Sequence, residues 1–478
     1  MRPIDLGVLI AYLAGIVAIG FWSSRRRRTS DTFMAAGRAM PGWAVGLSIF
    51  GTYVSSISFL ALPSKAYAGN WNAFVFSLAI PLTAWIAVKY FVPFYRAAGA
   101  ISSYEHLEHR FGPWARTYAV ACYLLTQLAR VGTIMYLLAL ALAPLTGWSI
   151  PSLILLTGVA AIAYTLYGGM EAVIWTDVVQ SLVFIGGTAA CAAVLLLGLP
   201  DGPAQLFQIA AAHQKFSLGS VAADPGQSTI WVVLLYGTFI NLQNFGIDQT
   251  YVQRYQTARS ERDAERSVWT GALLYVPISA AFFFIGTGLF AYYTARPELL
   301  PASTAASPDT VFPYFIVRQL PAGLVGLVIA SVFAAAQSTI SSSLNSSATL
   351  LLCDVSERFT RADAGERRRL LVLRAATLLM GAAGTGMALA MMHIKSALDA
   401  WWQLAGIFSG GMLGLFLLGF LSARAGSAQA AAGVVAGVAV ILWMTFFPTP
   451  FHNNLIIVIG TLTVLAMGFG LSVVGRRA

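Results

Sequence analysis

Apolar residues in this chain do not alternate with polar ones. They persist for about 20 residues at a time, long enough to cross a bilayer as a helix. About thirteen such runs are read, over 5–24, 42–66, 71–95, 114–145, 150–168, 172–199, 229–255, 268–294, 321–353, 369–392, 397–420, 427–447 and 453–475. The longest polar stretches, 200–228 and 295–320, are too short for a separate catalytic domain. The pattern predicts an all-α polytopic membrane protein with a single transmembrane body over 1–478. In the first run the basic cluster Arg25 to Arg28 follows the apolar segment. A signal peptide has its charge in front, so this run is expected to stay as a helix.

Composition sharpens the picture. The chain has 478 residues, 58% hydrophobic and 10% charged, with a mean hydropathy of +0.73. Soluble domains carry about 25% charged residues, which argues against a water-soluble enzyme. The net charge of +10 sits in short clusters between apolar runs, a distribution that disfavours a nucleic-acid partner. With the N-terminus placed outside, 21 of the 29 Lys and Arg residues fall inside, among them Arg25 to Arg28, Arg254, Arg361, Arg476 and Arg477. Six fall outside: Arg2, Lys65, Lys215, Arg296, Arg318 and Lys395. Lys89 and Arg130 lie within spans. This bias predicts an outside N-terminus, an inside C-terminus and a multi-pass protein of the cell (inner) membrane, with the lipid bilayer as partner. Cys122, Cys191 and Cys353 form no CxxC pair, so neither a disulfide framework nor a thiolate metal site is expected.

Several polar residues lie where a plain bundle has no need of them. Arg130 is near the centre of its span, where an arginine costs about 2.5–3.5 kcal/mol on insertion scales. It pairs with a protein carboxylate, snorkels, or receives a substrate anion through its planar fork. Asp177 is read either as an ion ligand or proton site, or as an interfacial helix cap. The segment Ser338 to Ser347 packs seven hydroxyls into ten residues. Ser338, Ser341, Ser342 and Asn345 share one helical face. Small polar residues also serve helix packing. A dense oxygen face beside a carboxylate, with no His or Cys near, suits a hard monovalent cation. Two spans are interrupted at mid-depth: 42–66 by Gly51-Thr52-Tyr53-Val54-Ser55-Ser56, and 229–255 by Gly237, Asn241, Gln243, Asn244 and Gly246. Interrupted helices in matching positions of two halves point to a midplane binding site. This divides the chain into an accessory helix 5–24, five-span units over 42–199 and 229–420, and C-terminal helices over 427–475. Glu105-His106-Leu107-Glu108-His109 is expected to be an amphipathic loop helix rather than a metal site. Neither a Gly-x-Ser-x-Gly nor a His-Glu-x-x-His motif is present to support an intramembrane enzyme, and no filter repeat suggests a channel.

The run from Tyr167 through Trp175-Thr176-Asp177 to Gln180, the segment Asp248 to Tyr255 and the serine-rich segment ending Leu344-Asn345-Ser346 together resemble the sodium/solute symporter family, over Asp5 to about Gly419. The resemblance implies a LeuT-like fold with 5+5 inverted repeats, alternating access, Na+ as coupling ion, no organic cofactor and a monomer. It implies a first sodium site at Gly51, Val54 and Ala335 through carbonyls and at Ser338 and Thr339 through hydroxyls. A second would use Asp177, Ser338, Ser341 and Ser342. Arg130 in Leu128-Ala129-Arg130-Val131 is similar to the carboxylate-binding arginine of the family's sialic acid symporters. By the same resemblance Ser55, Ser58, Ser77, Gln127, Asn241 and Asn244 are implied around the substrate. Ser77 replaces a larger polar residue of other branches, and Asn244 an aromatic one. The implied function is sodium-coupled symport of a small organic anion, sialic acid or a related carboxylated sugar. A monocarboxylate, neutral sugar, vitamin or proline is the alternative cargo.

Overall fold

The computed structural model describes residues 2–23, 29–359, 365–394 and 397–474. Arg25 to Arg28, Arg361, Lys395, Arg476 and Arg477, all counted in the charge bias, lie outside the described residues, as do the side chains of Trp401 and Trp402. The main helices are α1 (Pro3–Ser23), α2 (Gly42–Tyr53), α3 (Ser56–Ala68), α4 (Asn72–Ala98), α5 (Pro113–Thr146), α6 (Ile150–Leu197), α7 (Ile230–Ile247), α8 (Gln249–Thr257), α9 (Glu261–Ala295), α10 (Leu324–Leu350), α11 (Glu366–Met391), α12 (Ala397–Leu421), α13 (Ser427–Phe446) and α14 (Ile456–Val474). Among the described residues, eleven helices are long and apolar enough to cross a membrane, or up to twelve when the bent pair α2 and α3 is one span. The expected span 150–168 is a shorter apolar helix, Ile150–Leu166.

Helix α6 shows how that segment joins its neighbour. Straight, its 48 residues would reach ~72 Å, against a hydrocarbon core of about 30 Å. It breaks at Gly169 (φ 57°, ψ −157°). A Cβ there would stand 2.9 Å from the Phe33 backbone, so only glycine suits both the dihedrals and the space.

Helix α10 is the axis of the bundle. In its apolar window 89% of residues are buried, against 28% in α1. Its hydroxyls therefore face protein, not lipid. Helix α1 is docked onto it at two levels: the buried Asp5 carboxylate accepts from the amides of Gly323 (2.7 Å) and Gly326 (3.0 Å), and Tyr12 donates to Gln337 Oε1 (2.9 Å). The Asp5 contacts satisfy amides at the α10 start that its own ladder leaves open.

Both spans are interrupted, but only the first where its polar residues suggested: α7 runs unbroken through Gly237, Asn241, Gln243, Asn244 and Gly246 and parts from α8 only at Asp248. Helices α2 and α3 meet at 57° across Val54 and Ser55. Ser55 caps α3, its hydroxyl accepting from the Ser58 amide (3.4 Å). Helices α7 and α8 part at Asp248, whose backbone is extended and whose carboxylate accepts from the Thr250 amide (2.8 Å). Glu105–Phe111 is a short helix with His109 3.7 Å from Glu105, and among the described residues no cluster of three metal-type ligands occurs.

Candidate functional site

A helix that stops at mid-depth leaves its last carbonyls unpaired. In α2 the Phe50 carbonyl still accepts from the Val54 amide (3.1 Å), while the Gly51 carbonyl and the Val54 carbonyl lie beyond the ladder. Helix α10 crosses this break. Thr339 Oγ1 stands 3.5 Å from the Val54 carbonyl and 3.2 Å from the Ala335 carbonyl. A Cβ on Gly51 would come within 2.8 Å of Ser181 Oγ and 3.1 Å of Ser338 Oγ, so glycine is what lets the two helices approach. The five residues named for the first cation site thus come together as neutral oxygens around one backbone break.

One turn along α10 the surroundings change. Asp177, from α6, is fully buried and does not cap an interface. Its Oδ1 accepts from Ser338 (2.6 Å) and its Oδ2 from Ser48 (2.5 Å) and from Arg254 (2.9 Å). Arg254 was counted among inner-loop charges; the structure corrects this. It lies on α8 with 0% exposure and donates also to Ser342 (2.6 Å), Ser48 (2.8 Å) and the Thr250 carbonyl (2.7 Å). Of the second-site residues, Asp177, Ser338 and Ser342 meet, and the Ser341 hydroxyl turns back to the Ser338 carbonyl (3.1 Å). A guanidinium therefore supplies the positive charge that the Asp177 carboxylate needs to be buried.

Arg130 lies on the other side of the same break, half-buried, its Nη2 donating to the Thr52 carbonyl (3.4 Å). Among the described residues no carboxylate comes within ion-pair distance of it. No direct ion pair forms, and the buried Asp248 carboxylate acts on the guanidinium only at longer range. Gln127, one turn before it, accepts from Ser343 (2.7 Å) and leaves its buried Nε2 without a partner. The remaining residues form a linked set. Asn244 Nδ2 donates to the Tyr53 hydroxyl (3.4 Å), and the Tyr53 ring meets those of Tyr251, Tyr275 and Phe245 at centroid distances of 5.9, 4.5 and 5.7 Å. Ser77 is bonded to Ser279 (2.8 Å), one turn from Tyr275, beside which Ser58 lies. Asn241 donates to the Phe76 carbonyl (3.4 Å), and its buried Oδ1 has no partner. Ser55 and Arg130 thus flank the break next to Tyr53, Asn244 bonds its hydroxyl, Ser58 lies beside its ring partner Tyr275, and Ser77 and Asn241 are linked instead to Ser279 and the Phe76 carbonyl.

Sequence reasoning missed Arg254, Ser48 and the aromatic group of Tyr53, Tyr251 and Tyr275. The spacing Tyr251-x-x-x-Tyr255 on a segment opened by Asp248 was a usable signal for the aromatics; nothing local marked Arg254 as buried.

Residues 33–437 match the sequence model of the Sodium:solute symporter family. The chain belongs to this family. A sodium/sialic acid symporter, NanT, of Aliivibrio fischeri is 35% identical over 468 residues, covering 96% of this chain and 91% of the relative. A human sodium/iodide cotransporter is 30% identical over 93% of this chain and 70% of its own length. A solved structure of a Na+-coupled sialic acid symporter, in a substrate-bound outward-open state, superposes with a TM-score of 0.93 at 33% identity and covers 98% of both chains. The nucleobase-cation-symport-1 family transporter Mhp1, at 17% identity and a TM-score of 0.59 over 93% of this chain and 95% of its own, shares the fold. The architecture is that LeuT-like, all-helical, multi-span type. Its relatives are transporters rather than enzymes.

Proposed function

We propose that this family member is a sodium-coupled symporter that imports a small organic anion, sialic acid or a related carboxylated sugar, across the cell (inner) membrane by alternating access. The observation that carries the cargo class is the Arg130 guanidinium, held at mid-span beside the α2–α3 break with no direct ion pair among the described residues. A buried or half-buried charge of this kind is satisfied by a ligand carboxylate through two parallel hydrogen bonds. The sialic acid symporters among its relatives support the choice of sugar acid over other anions.

In this reading the carbonyls of Gly51, Val54 and Ala335 and the hydroxyls of Ser338 and Thr339 hold one sodium ion. That ion braces the α2–α3 break on which Arg130 and Ser55 converge, so sodium and substrate each favour the other's binding. Asp177, Ser338, Ser341 and Ser342 form a second cation position, at which an incoming ion competes with Arg254 for the carboxylate. Ser58, Ser77, Gln127, Asn241 and Asn244 contact the sugar. Units 42–199 and 229–420 are the two inverted repeats, each opened by a broken helix. The N-terminus is outside and the C-terminus inside, and the working unit is a monomer.

Ligands that bind only the native state raise its melting temperature by mass action. The test is the thermal stability of the detergent-purified chain with sialic acid, a neutral hexose, a monocarboxylate and proline, each in sodium and in potassium. Sialic acid should stabilise in sodium only, and Arg130→Ala should weaken this by about 10- to 100-fold in concentration, the worth of a charged hydrogen-bond pair. A shift with the hexose alone would remove Arg130 as the carboxylate clamp, and a shift with proline or the monocarboxylate alone would remove the sugar acid as cargo. No sodium effect with any ligand would remove cation coupling.

A further inference from the structure

At one end of the bundle the start of α2 and the first turns of α9 are held at a fixed spacing. Met40 and Ala258 pair as an isolated parallel bridge, with the Met40 amide on the Thr257 carbonyl (3.0 Å) and the Arg259 amide on the Met40 carbonyl (3.1 Å). Gly42 and Gly46 let α9 approach: a Cβ on either would stand 2.7 Å from the Asp263 carbonyl or 2.6 Å from the Thr270 side chain. Beside this seam is a cleft of about 430 Å³. It is lined by Trp43, Arg259, Asp263, Arg266, Trp269 and Leu273, with Gly42 and Thr270 in its floor.

The lining reads in order along α9. Arg259 is bonded to Asp263 (2.6 Å). Arg266, two turns further along than Arg259, is exposed and has neither hydrogen bond nor ion pair among the described residues. Two guanidinium groups against one carboxylate leave the lining one positive charge. Next come the indoles of Trp43, 54% exposed, and Trp269, then the exposed apolar Leu273. This is a gradient from charge through amphipathic aromatics to hydrocarbon, the order of groups met on entering a bilayer from water. Basic pockets between membrane helices hold anionic headgroups.

We propose that this cleft seats one anionic phospholipid, with its phosphodiester on Arg266 and Arg259, its glycerol against the indoles and an acyl chain along Leu273. A single net positive charge matches a singly charged phosphodiester such as phosphatidylglycerol, and not a zwitterionic headgroup. The lipid bridges α2, which carries the Gly51 break, to α9. The proposal does not depend on which solute is carried.

The test is thermal unfolding of the full chain in neutral detergent, titrated with phosphatidylglycerol, phosphatidylethanolamine, phosphatidylcholine or soluble glycerol phosphate. Phosphatidylglycerol should raise the melting temperature at the lowest concentration. Arg266→Gln should weaken that response about fivefold, as one basic contact does near an anionic surface, and Arg259→Gln with Arg266→Gln should abolish it. Arg262→Gln carries the same charge loss on the same helix outside the cleft and should leave it intact. Each variant is also checked for an unchanged melting temperature without lipid, and Arg266→Gln, which removes no hydrogen bond or ion pair within the protein, serves if the double variant is unstable. Equal responses to phosphatidylcholine or phosphatidylethanolamine, an equal loss in Arg262→Gln, or an equal rise with glycerol phosphate would each overturn the lipid assignment.

Discussion

The two proposed cation positions share Ser338 and lie one helical turn apart on α10, yet their surroundings are balanced in opposite ways. At the first, every oxygen is neutral, and the Gly51 and Val54 carbonyls lie beyond the helical ladder because α2 has stopped. At the second, a carboxylate is present and a guanidinium has already answered it. A neutral cradle gains a charge when an ion arrives; its selectivity is a matter of where the backbone breaks. A balanced pair gains an ion only if its resident cation yields. One site is thus governed by helix geometry and the other by competition between two cations for Asp177.

The largest test of that difference is Arg254→Gln. Breaking a buried ion pair by removing one partner costs about 3–5 kcal/mol. The variant should melt well below the wild type in potassium, and sodium should recover more of the loss than it adds to the wild type. Asp177→Asn combined with Arg254→Gln should regain much of the stability and show no such extra sodium response. If sodium rescues neither more nor less in Arg254→Gln than in the wild type, Asp177 is a structural partner only.

A smaller effect is expected at the geometric site. Gly51→Ala places a methyl group against Ser181 and Ser338, and overpacking of this kind costs about 1–3 kcal/mol. It should lower the melting temperature and weaken the sodium response together. The smallest is Thr339→Val, which keeps the shape and removes one hydroxyl, worth about 1 kcal/mol. It should raise the sodium concentration for half-maximal stabilisation several-fold, whereas Thr339→Ser should not. A sodium response in Thr339→Val equal to the wild type would detach the α10 hydroxyl from the first site.

What the sequence disclosed and what it hid divide along one physical line. Apolar runs report contact with lipid, so the spans could be read. Seven hydroxyls on α10 contradict lipid, so they announced a buried polar face. The span 229–255 takes in most of α8, but hydropathy gave no sign that this polar helix is entirely inside. All nine of its residues are buried, and by hydropathy such a segment belongs to water. Its polar groups are answered only by distant parts of the chain: Gln249 by the Ile101 carbonyl, Gln253 by Asn345 and Thr349, Gln256 by the Tyr95 carbonyl. Tertiary partners of this kind leave no periodic trace. For the same reason the Asp177 carboxylate was visible as a charge in a span while its neutralising arginine was counted in a loop.

The corner at Gly169 bears on how such a molecule can move. A membrane-spanning arm and the shorter apolar helix Ile150–Leu166, joined at a single glycine wedged against the Phe33 backbone, form a linkage with little slack. Neither arm can tilt unless the other follows, and Asp177 on the second arm must travel with both. Any rocking of the bundle has to find its pivots elsewhere, and the chain offers two at which no helical hydrogen bond need be broken: the gap between Tyr53 and Ser56, and the one at Asp248.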